Sequence, residues 1–335
     1  MKIDIVGGSL GGLATAISLK DRDKNLSVVV HEKHKKIGYN PEGRRCGEAH
    51  SIGGPWEKWK PLQSSVFNEI RLVETVIGNK KYVINREPGT ACILNRQEFI
   101  CQLARKADEL GVEIRTGDKI NSVNDLDGDY IVDASGCPST IKRELRLDKG
   151  IRGITYQQTL ENCNVFISDT IKIIFMGSFG YFWIFPRDSE KREVNLGVGV
   201  MGIDNINLKE LLEKFKEEHE ITGKINYVLG GFVPAGLQKP LKYKNILFVG
   251  DAGAGAFPLT GQGIYRALLS GDRAGMCIAR GYPEKYPKIT TQDFIKWDVI
   301  GKTYLRMNYV LRKIGPEAVL TTLKYFISST SLVFH

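Results

Sequence analysis

The sequence predicts an α/β protein, α+β overall, in which a parallel-sheet domain is interrupted by an antiparallel-sheet domain and followed by a helical tail. Three observations predict it. The chain opens on an apolar strand, a glycine-rich turn, a helix and a second, β-branched strand. A late apolar strand from Asn245 to Val249 runs through Gly250-Asp251-Ala252 toward another helix. Between these lies a block, residues 151–200, of short strand-like segments.

Each element has its own signal. Lys2 to Val6 is a short apolar run, Leu10 to Lys20 has helical spacing, and Leu26 to His31 is β-branched. Residues 34–61 are rich in Gly, Pro and charge and too long for a plain connection, which marks a functional loop. Residues 66–85 alternate apolar and polar, as paired strands do. Phe99, Leu103, Ala107 and Leu110 recur at helical spacing within Arg96 to Leu110. Strands follow at Val112 to Arg115 and Tyr130 to Asp133, then near 163–167, 171–176, 180–185 and 193–200. Leu208, Leu211, Leu212 and Phe215 make an amphipathic helix to His219. Gly263 to Arg280 reads as a helix, and the tail from Thr291 is helical in pattern. The parallel-sheet domain is thus expected from residues 1–60, 90–150 and 236–285. The antiparallel domain takes 61–89 and 151–235, and a short helical segment takes 286–335.

Composition narrows the class. The chain has 335 residues, 42% hydrophobic and 25% charged, which is ordinary globular usage. No apolar run is long enough to span a bilayer, and the start MKIDIV lacks the layout of a signal peptide, so a cytoplasmic protein is expected. The six cysteines form no CxxC pair, so reduced thiols and no metal site are expected. The net charge of +9 suits an anionic partner, and no nucleic-acid motif accompanies it.

The opening turn, Gly7-Gly8-Ser9-Leu10-Gly11-Gly12, carries the first chemistry. A dinucleotide pyrophosphate needs a tight turn, a bare backbone and a helix N-terminus aimed at its charge. Gly7 and Gly12 fit the first and third glycines of that Rossmann fingerprint, and Ser9 stands at the second. Glu32, followed by Lys33, ends the next strand about 20 residues on, where an acid holds ribose hydroxyls and repels a 2′-phosphate. The opening alone leaves NAD and FAD open. Two later segments favour FAD: the strand and small-residue turn around Ala134 and Gly136, and the Gly250-Asp251 turn leading through Gly261 and Gly263 to a helix beginning at Ile264. Asp251 is placed to accept hydrogen bonds from a ribityl chain, and the helix start can stabilise negative charge on a reduced flavin ring.

Tyr181, Trp183 and Phe185 alternate, so their rings share one face of a strand. On residues alone this face is more often sheet core than a substrate wall. Cys46 lies between Arg44-Arg45 and Gly47-Glu48, a setting that favours a polarised thiol, although a lone cysteine is more often packing.

The order GGSLGG, RRCGE, DASG, YFWIFP, GDA and PLTGQG resembles the geranylgeranyl reductase family of flavoproteins, within the p-hydroxybenzoate-hydroxylase-like superfamily. The resemblance covers residues 1 to about 280. The spacer between Pro186 and Gly197 is slightly longer than the family's, which implies a longer hairpin tip. The resemblance implies a Rossmann-like FAD-binding domain and reduction of isolated double bonds in geranylgeranyl chains of membrane lipid precursors. It implies cofactor contacts from Gly7, Gly8, Ser9, Gly11, Gly12, Glu32, Lys33, Arg44, Arg45, Cys46, Gly47, Arg96, Ala134, Gly136, Gly250, Asp251, Gly261, Gly263 and Ile264. Tyr181, Trp183, Phe185 and Pro258 become substrate contacts, with Cys46 a candidate proton relay and Glu48 a weaker one. Expected partners are a prenyl lipid or prenyl diphosphate, the anionic inner face of the membrane, and an electron donor that is NAD(P)H or a reduced ferredoxin. The same scaffold also hosts flavin monooxygenases acting on aromatic or apolar substrates and non-catalytic electron-transfer flavoproteins, which stay open as alternatives.

Overall fold

The computed structural model describes residues 1–39, 47–51, 57–177, 180–201, 206–311 and 313–330. In chain order, β1 (Lys2–Val6), α1 (Leu10–Arg22) and β2 (Ser27–Glu32) open the fold. Five short strands follow: β3 (Ala49–Ser51), β4 (Val66–Glu69), β5 (Leu72–Ile77), β6 (Lys80–Asn85) and β7 (Ala91–Leu94). Next come α2 (Arg96–Glu109), β8 (Glu113–Thr116), β9 (Tyr130–Asp133) and α3 (Thr140–Glu144). The long strands are β10 (Arg152–Glu161), β11 (Thr170–Phe175), β12 (Gly180–Asp188) and β13 (Glu193–Met201), followed by α4 (Leu208–Glu218) and β14 (Lys224–Pro234). The chain closes with β15 (Lys242–Tyr243), β16 (Ile246–Phe248), α5 (Ile264–Ala279), α6 (Tyr286–Leu311) and α7 (Pro316–Thr330).

The chain divides into two compact units. The first holds Met1–Pro41, Arg96–Arg152 and Phe232–Lys302, and the second Glu42–Asn95, Gly153–Gly231 and Thr303–His335. The first is built on a sheet of order β15-β16-β9-β1-β2-β8, parallel throughout except for β15. Its central strands read as apolar runs because both faces are covered. Helix α1 packs on α5 through small residues. A Cβ on Gly271 would lie 2.3 Å from the Gly11 carbonyl oxygen, and one on Gly275 would lie 2.6 Å from Ser18 Cβ. That close approach sets α1 against the middle and later turns of α5.

The second unit is a sheet of order β14-β10-β13-β12-β11-β5-β6, with a small sheet β3-β7-β4. The period of two along β12 divides its side chains between two cores. Phe182 and Ile184 pack with Val194, Leu196 and Val198 of β13 and with Leu212 and Phe215 of α4. Phe182 stacks on Phe215, ring centroids 4.0 Å apart. On the other face, Phe185 packs with Val73, Ile93 and Ala49.

Two features differ from the sequence expectation. The strand expected near 163–167 is a turn, because Asn162 adopts φ +51° and ends β10 one residue earlier. The apolar residues there point into the α4 core, with Cys163 buried and Phe166 packed against it. The longer spacer after Pro186 is taken up by a bulge as well as a tip: the register of β12 on β13 shifts between Pro186 and Asp188, leaving Arg187 without a cross-strand partner.

Candidate active site

In the first unit the glycine turn is a close-packed cradle. Gly7 has φ +110°, and a Cβ there would sit 2.5 Å from the Ala134 carbonyl oxygen; one on Gly12 would sit 2.0 Å from the Gly7 oxygen. Both positions admit glycine alone. Gly11 faces Gly250, its ideal Cβ 3.3 Å from the Gly250 nitrogen, so the opening turn and the Gly-Asp-Ala turn meet. Ser9 caps α1 without a side-chain bond, and no acid stands in the helix's first turn. Those N–H groups are oriented to receive an anion.

Glu32 is buried at the end of β2. Its carboxylate accepts from the Gly8 N–H at 2.8 Å and the His34 N–H at 2.9 Å. These bonds fix its direction and still leave acceptor sites for ribose hydroxyls. Lys33 beside it is exposed. Asp133 is also buried and accepts from the backbone and hydroxyl of Ser135 and from the Ser139 hydroxyl, which shapes the Ala134–Gly136 turn. Gly136 has φ +94° and open space where a Cβ would be.

Asp251 lies in a short turn after β16, and Gly250 takes φ +56°. Burial raises the Asp251 carboxyl, opposed by the Arg96 and Arg266 guanidiniums. A Cβ on Gly263, which caps α5 without a side chain of its own, would lie 3.6 Å from Asp251 Oδ1. Ile264 begins the helix, and Gly261 turns with φ +70°. Pro258 is buried against Gly301 of α6, an apolar contact within this unit. A dinucleotide's requirements are met here: two helix starts without first-turn acids, a buried carboxylate at the second strand's end and a glycine turn that tolerates no side chain.

In the second unit the three rings of β12 do share a face. Phe175, Tyr181, Trp183 and Phe185 form a row, with successive centroids 5.5, 5.9 and 6.3 Å apart. Glycines of the neighbouring strand make room for the row. Gly197 pairs with Trp183, and a Cβ there would sit 2.2 Å from the indole. Gly199, opposite Tyr181, lies 3.4 Å from the Trp183 ring by its ideal Cβ. Trp183 Nε1 donates to Gln157 Oε1 at 3.1 Å, which fixes the ring's tilt.

The row ends in charge. Arg187 is held between two buried carboxylates, donating from Nε to Glu48 and from Nη1 to Glu193. Burial works against its charge, and the two carboxylates outweigh it, so its pKa is raised. Asn195 donates to Glu48 at 3.1 Å and toward the Gly47 carbonyl at 3.4 Å. Gly47 rests on Phe185, with an ideal Cβ 2.8 Å from the ring. Glu48 itself takes φ +66°. The structure therefore gives Glu48 an anchoring contact where the sequence alone left it a proton-relay candidate. Arg44, Arg45 and Cys46 lie outside the described residues. The five described cysteines are all held as thiols by burial: Cys92 and Cys137 are pushed up to about 12, Cys277 to about 11, and Cys101 and Cys163 are raised.

The sequence pattern of the geranylgeranyl reductase catalytic domain matches residues 152–233, the stretch that carries the aromatic row and its glycine strand. The resemblance to the geranylgeranyl reductase family is borne out. A digeranylgeranylglycerophospholipid reductase of Thermoplasma acidophilum is 28% identical over 370 residues, covering 95% of this chain and 92% of its own. The protein of the same name from Methanocella arvoryzae is 25% identical over 348 residues, covering 92% and 86%. Among solved structures, a geranylgeranyl bacteriochlorophyll reductase-like protein of T. acidophilum matches with a TM-score of 0.82 at 22% identity, over 97% of this chain and 91% of that one. The flavin-dependent brominase Bmp2 matches with a TM-score of 0.70 at 17% identity, over 99% and 91%. These likenesses bear out the expected α/β fold with its antiparallel sheet and C-terminal helices.

Two groups of this chain have little signal in its sequence. Arg266, buried in α5, donates to the carbonyls of Ala254 and Gly255 and to Asp298 of α6 at 2.8 Å. Asp298 also accepts from the Leu237 N–H. This clamp shapes the loop that leads to Gly261 and Gly263. Its sequence signal is weak, an arginine near the start of a helix built mostly from small and apolar residues. The Arg187 cluster is the second, signalled only by the extra residue after Pro186.

Proposed function

We propose that the chain is an FAD-dependent reductase that saturates carbon–carbon double bonds of geranylgeranyl chains in isoprenoid membrane lipid synthesis. The observation that carries this reading is the aromatic row Tyr181–Trp183–Phe185 laid over Gly197 and Gly199, inside the stretch that matches the catalytic domain. Its ring faces suit a long, branched, apolar chain.

When bound, FAD supplies the reducing equivalents. The first unit's residues hold it: Glu32 at the ribose, the Gly7–Gly12 turn at the pyrophosphate, Arg96 and Asp251 toward the flavin end. An isolated alkene has no carbonyl to stabilise added charge, so the chain must also supply a proton and exclude water. Cys46 is the proton donor in this reading. Glu48, bound to Arg187 and Asn195, anchors the backbone after it. Tyr181, Trp183, Phe185 and Pro258 are the substrate contacts. The substrate is a prenyl lipid met at the inner, anionic face of the membrane, and electrons arrive from NAD(P)H or a reduced ferredoxin.

The test is anaerobic reduction by dithionite with FAD-loaded protein and geranylgeranyl glycerophospholipid, products read by mass. Successive gains of two hydrogens are expected. An unchanged lipid with fully reduced flavin rejects the reductase reading, and a hydroxylated product formed only on admitting air points instead to a monooxygenase.

A further inference from the structure

The last part of α6 is two-faced. Tyr304 and Asn308 are buried, whereas Met307, Tyr309 and Val310 are 41, 54 and 61% exposed. Ile314, in the turn before α7, is 74% exposed. Met307 and Val310, three apart on α6, project on one side of the helix, and the exposed Ile314 follows in the turn, so the corner carries an apolar patch. Arg306 and Lys313 are exposed beside it, and Lys313 Nζ lies 6.0 Å from the Tyr309 ring. From residue 299 to residue 316 the sequence holds Lys302, Arg306, Arg312 and Lys313 and no acidic residue. Lys302 pairs with Asp298, so Arg306 and Lys313 are the exposed cations beside these apolar side chains, the pattern of a segment that lies in an anionic lipid interface.

The position of this corner within the second unit gives it a purpose. Pro316, the first residue of α7, abuts the turn joining β11 to β12: a Cβ on Gly177 would sit 2.2 Å from Pro316 Cβ. That turn immediately follows Phe175, whose contact with Tyr181 ends the aromatic row. Farther along, α7 lies beside the β5–β6 turn, where Leu320 Cδ1 is 3.6 Å from an ideal Cβ on Gly78. Pro316, just past the exposed patch, therefore meets the segment that follows the Phe175 end of the row.

We infer that the α6–α7 corner, through Arg306, Met307, Tyr309, Val310, Lys313 and Ile314, docks the protein on an anionic lipid bilayer and delivers a prenyl tail to the Phe175–Tyr181 end of the aromatic row. The delivery step rests on the reductase reading; the docking does not. A second copy of the chain is the poorer occupant, since two such faces bring like charges together.

The experiment uses the full FAD-loaded chain and vesicles of phosphatidylcholine with or without phosphatidylglycerol. Two paired variants are made, Val310→Ser with Ile314→Ser and Arg306→Glu with Lys313→Glu. A control pair, Lys119→Glu with Lys149→Glu, makes the same charge change at exposed positions elsewhere. The wild-type protein should sediment with anionic vesicles and release with salt. The charge-reversed pair should weaken binding about tenfold or more, the apolar pair several-fold, and the control pair little. With geranylgeranyl lipid embedded in the vesicles, both corner pairs should turn over more slowly, and with detergent-dispersed lipid they should match the wild type. Vesicle binding that neither corner pair changes, or that the control pair weakens equally, overturns the docking. So does a shift in oligomeric state without a change in vesicle binding, which assigns the face to a second copy. If detergent-dispersed lipid is not reduced even by the wild type, the reductase reading fails while the vesicle result still decides the docking.

Discussion

Arg187 donates from Nε to a Glu48 carboxylate oxygen at 2.7 Å across 139 residues of sequence. The pair joins the bulge at the end of the aromatic strand to the backbone beside Gly47. Side-chain exposures of 13 and 3% place both charges away from solvent, and Glu193 makes the arginine a bridge. Removing one member of such a group leaves a buried charge uncompensated, at a cost of about 3–5 kcal/mol. Arg187→Met should lower the denaturant midpoint accordingly, and Arg187→Lys should recover part of the loss. Glu48→Gln should cost less, because the amide still accepts from Arg187. An unchanged midpoint in Arg187→Met means the bridge is not maintained in solution.

Gly197→Ala tests the room made for Trp183. A Cβ 2.2 Å from the indole must displace the ring. A destabilisation of about 1–3 kcal/mol is expected. Trp183 fluorescence should shift as its bond to Gln157 breaks, with FAD content unchanged. Trp183→Ala should also keep FAD and lose turnover or double-bond preference. If Gly197→Ala reduces prenyl lipid at the parental rate with a normal emission spectrum, the ring does not occupy the space that its strand partner leaves open, and the cavity wall must be reassigned.

His50 supplies a pH dependence. It is buried in β3, and burial lowers its pKa from 6.5 to about 4. The unfolded chain therefore takes up this proton first as the pH falls. Stability is unaffected by His50 above about pH 6.5 and declines as the pH drops toward 4, by about 3 kcal/mol in all. His50→Gln should flatten that part of the curve of unfolding free energy against pH. Parallel curves for the two proteins rule out His50 as the group responsible.

Much of the fold was legible because its signals are local. The Gly7–Gly12 turn, Glu32 and the Gly250-Asp251 turn each carry a residue type that the backbone or a ligand charge demands, and the structure brings the two turns together at Gly11 and Gly250. The alternation of Tyr181, Trp183 and Phe185 picked out a face, and the rings lie on it. What was not legible depends on register and long-range pairing. The strand pattern at 163–167 is indistinguishable in sequence from a turn whose apolar residues fold inward. The Arg187 bridge needs the bulge, and a bulge is visible only once β12 is aligned on β13. The small sheet β3-β7-β4 comes from strands of three or four residues, too short to show a period.

Glu32→Ala should weaken FAD retention by about 1.5–3 kcal/mol, through loss of charge-assisted bonds to the ribose. Because the carboxylate also accepts from Gly8 and His34, the glycine turn should loosen with it. FAD affinity measured by flavin fluorescence on titration into apoprotein reads both effects. A colourless wild-type protein that takes up no added FAD removes the flavin reading altogether.

The last prediction separates the two residues that the sequence offered as proton sources. Glu48 is bound by Arg187 and Asn195, so its carboxylate is already committed to a cation and an amide. Cys46 stands two residues before it in the sequence, beside Arg44 and Arg45. The other cysteines are poor alternatives, since burial holds Cys92 and Cys137 at about 12 and Cys277 at about 11. Cys46→Ala should leave FAD bound and its reduction by dithionite unchanged, while reduction of the prenyl double bond slows by about 10²–10⁴-fold, the range of general acid catalysis. Cys46→Ser should recover little, because a hydroxyl lacks the thiol's acidity. Glu48→Gln should behave differently: the amide oxygen can keep the anchoring bonds while the side chain loses its capacity to take up and pass on a proton, so the rate should stay within a few-fold of the parent. Single-turnover oxidation of the reduced enzyme by geranylgeranyl lipid, followed at the flavin band, measures each variant on the step in question. Should Glu48→Gln fall as far as Cys46→Ala is expected to, with its unfolding midpoint intact, the carboxyl is the donor and the thiol only its neighbour.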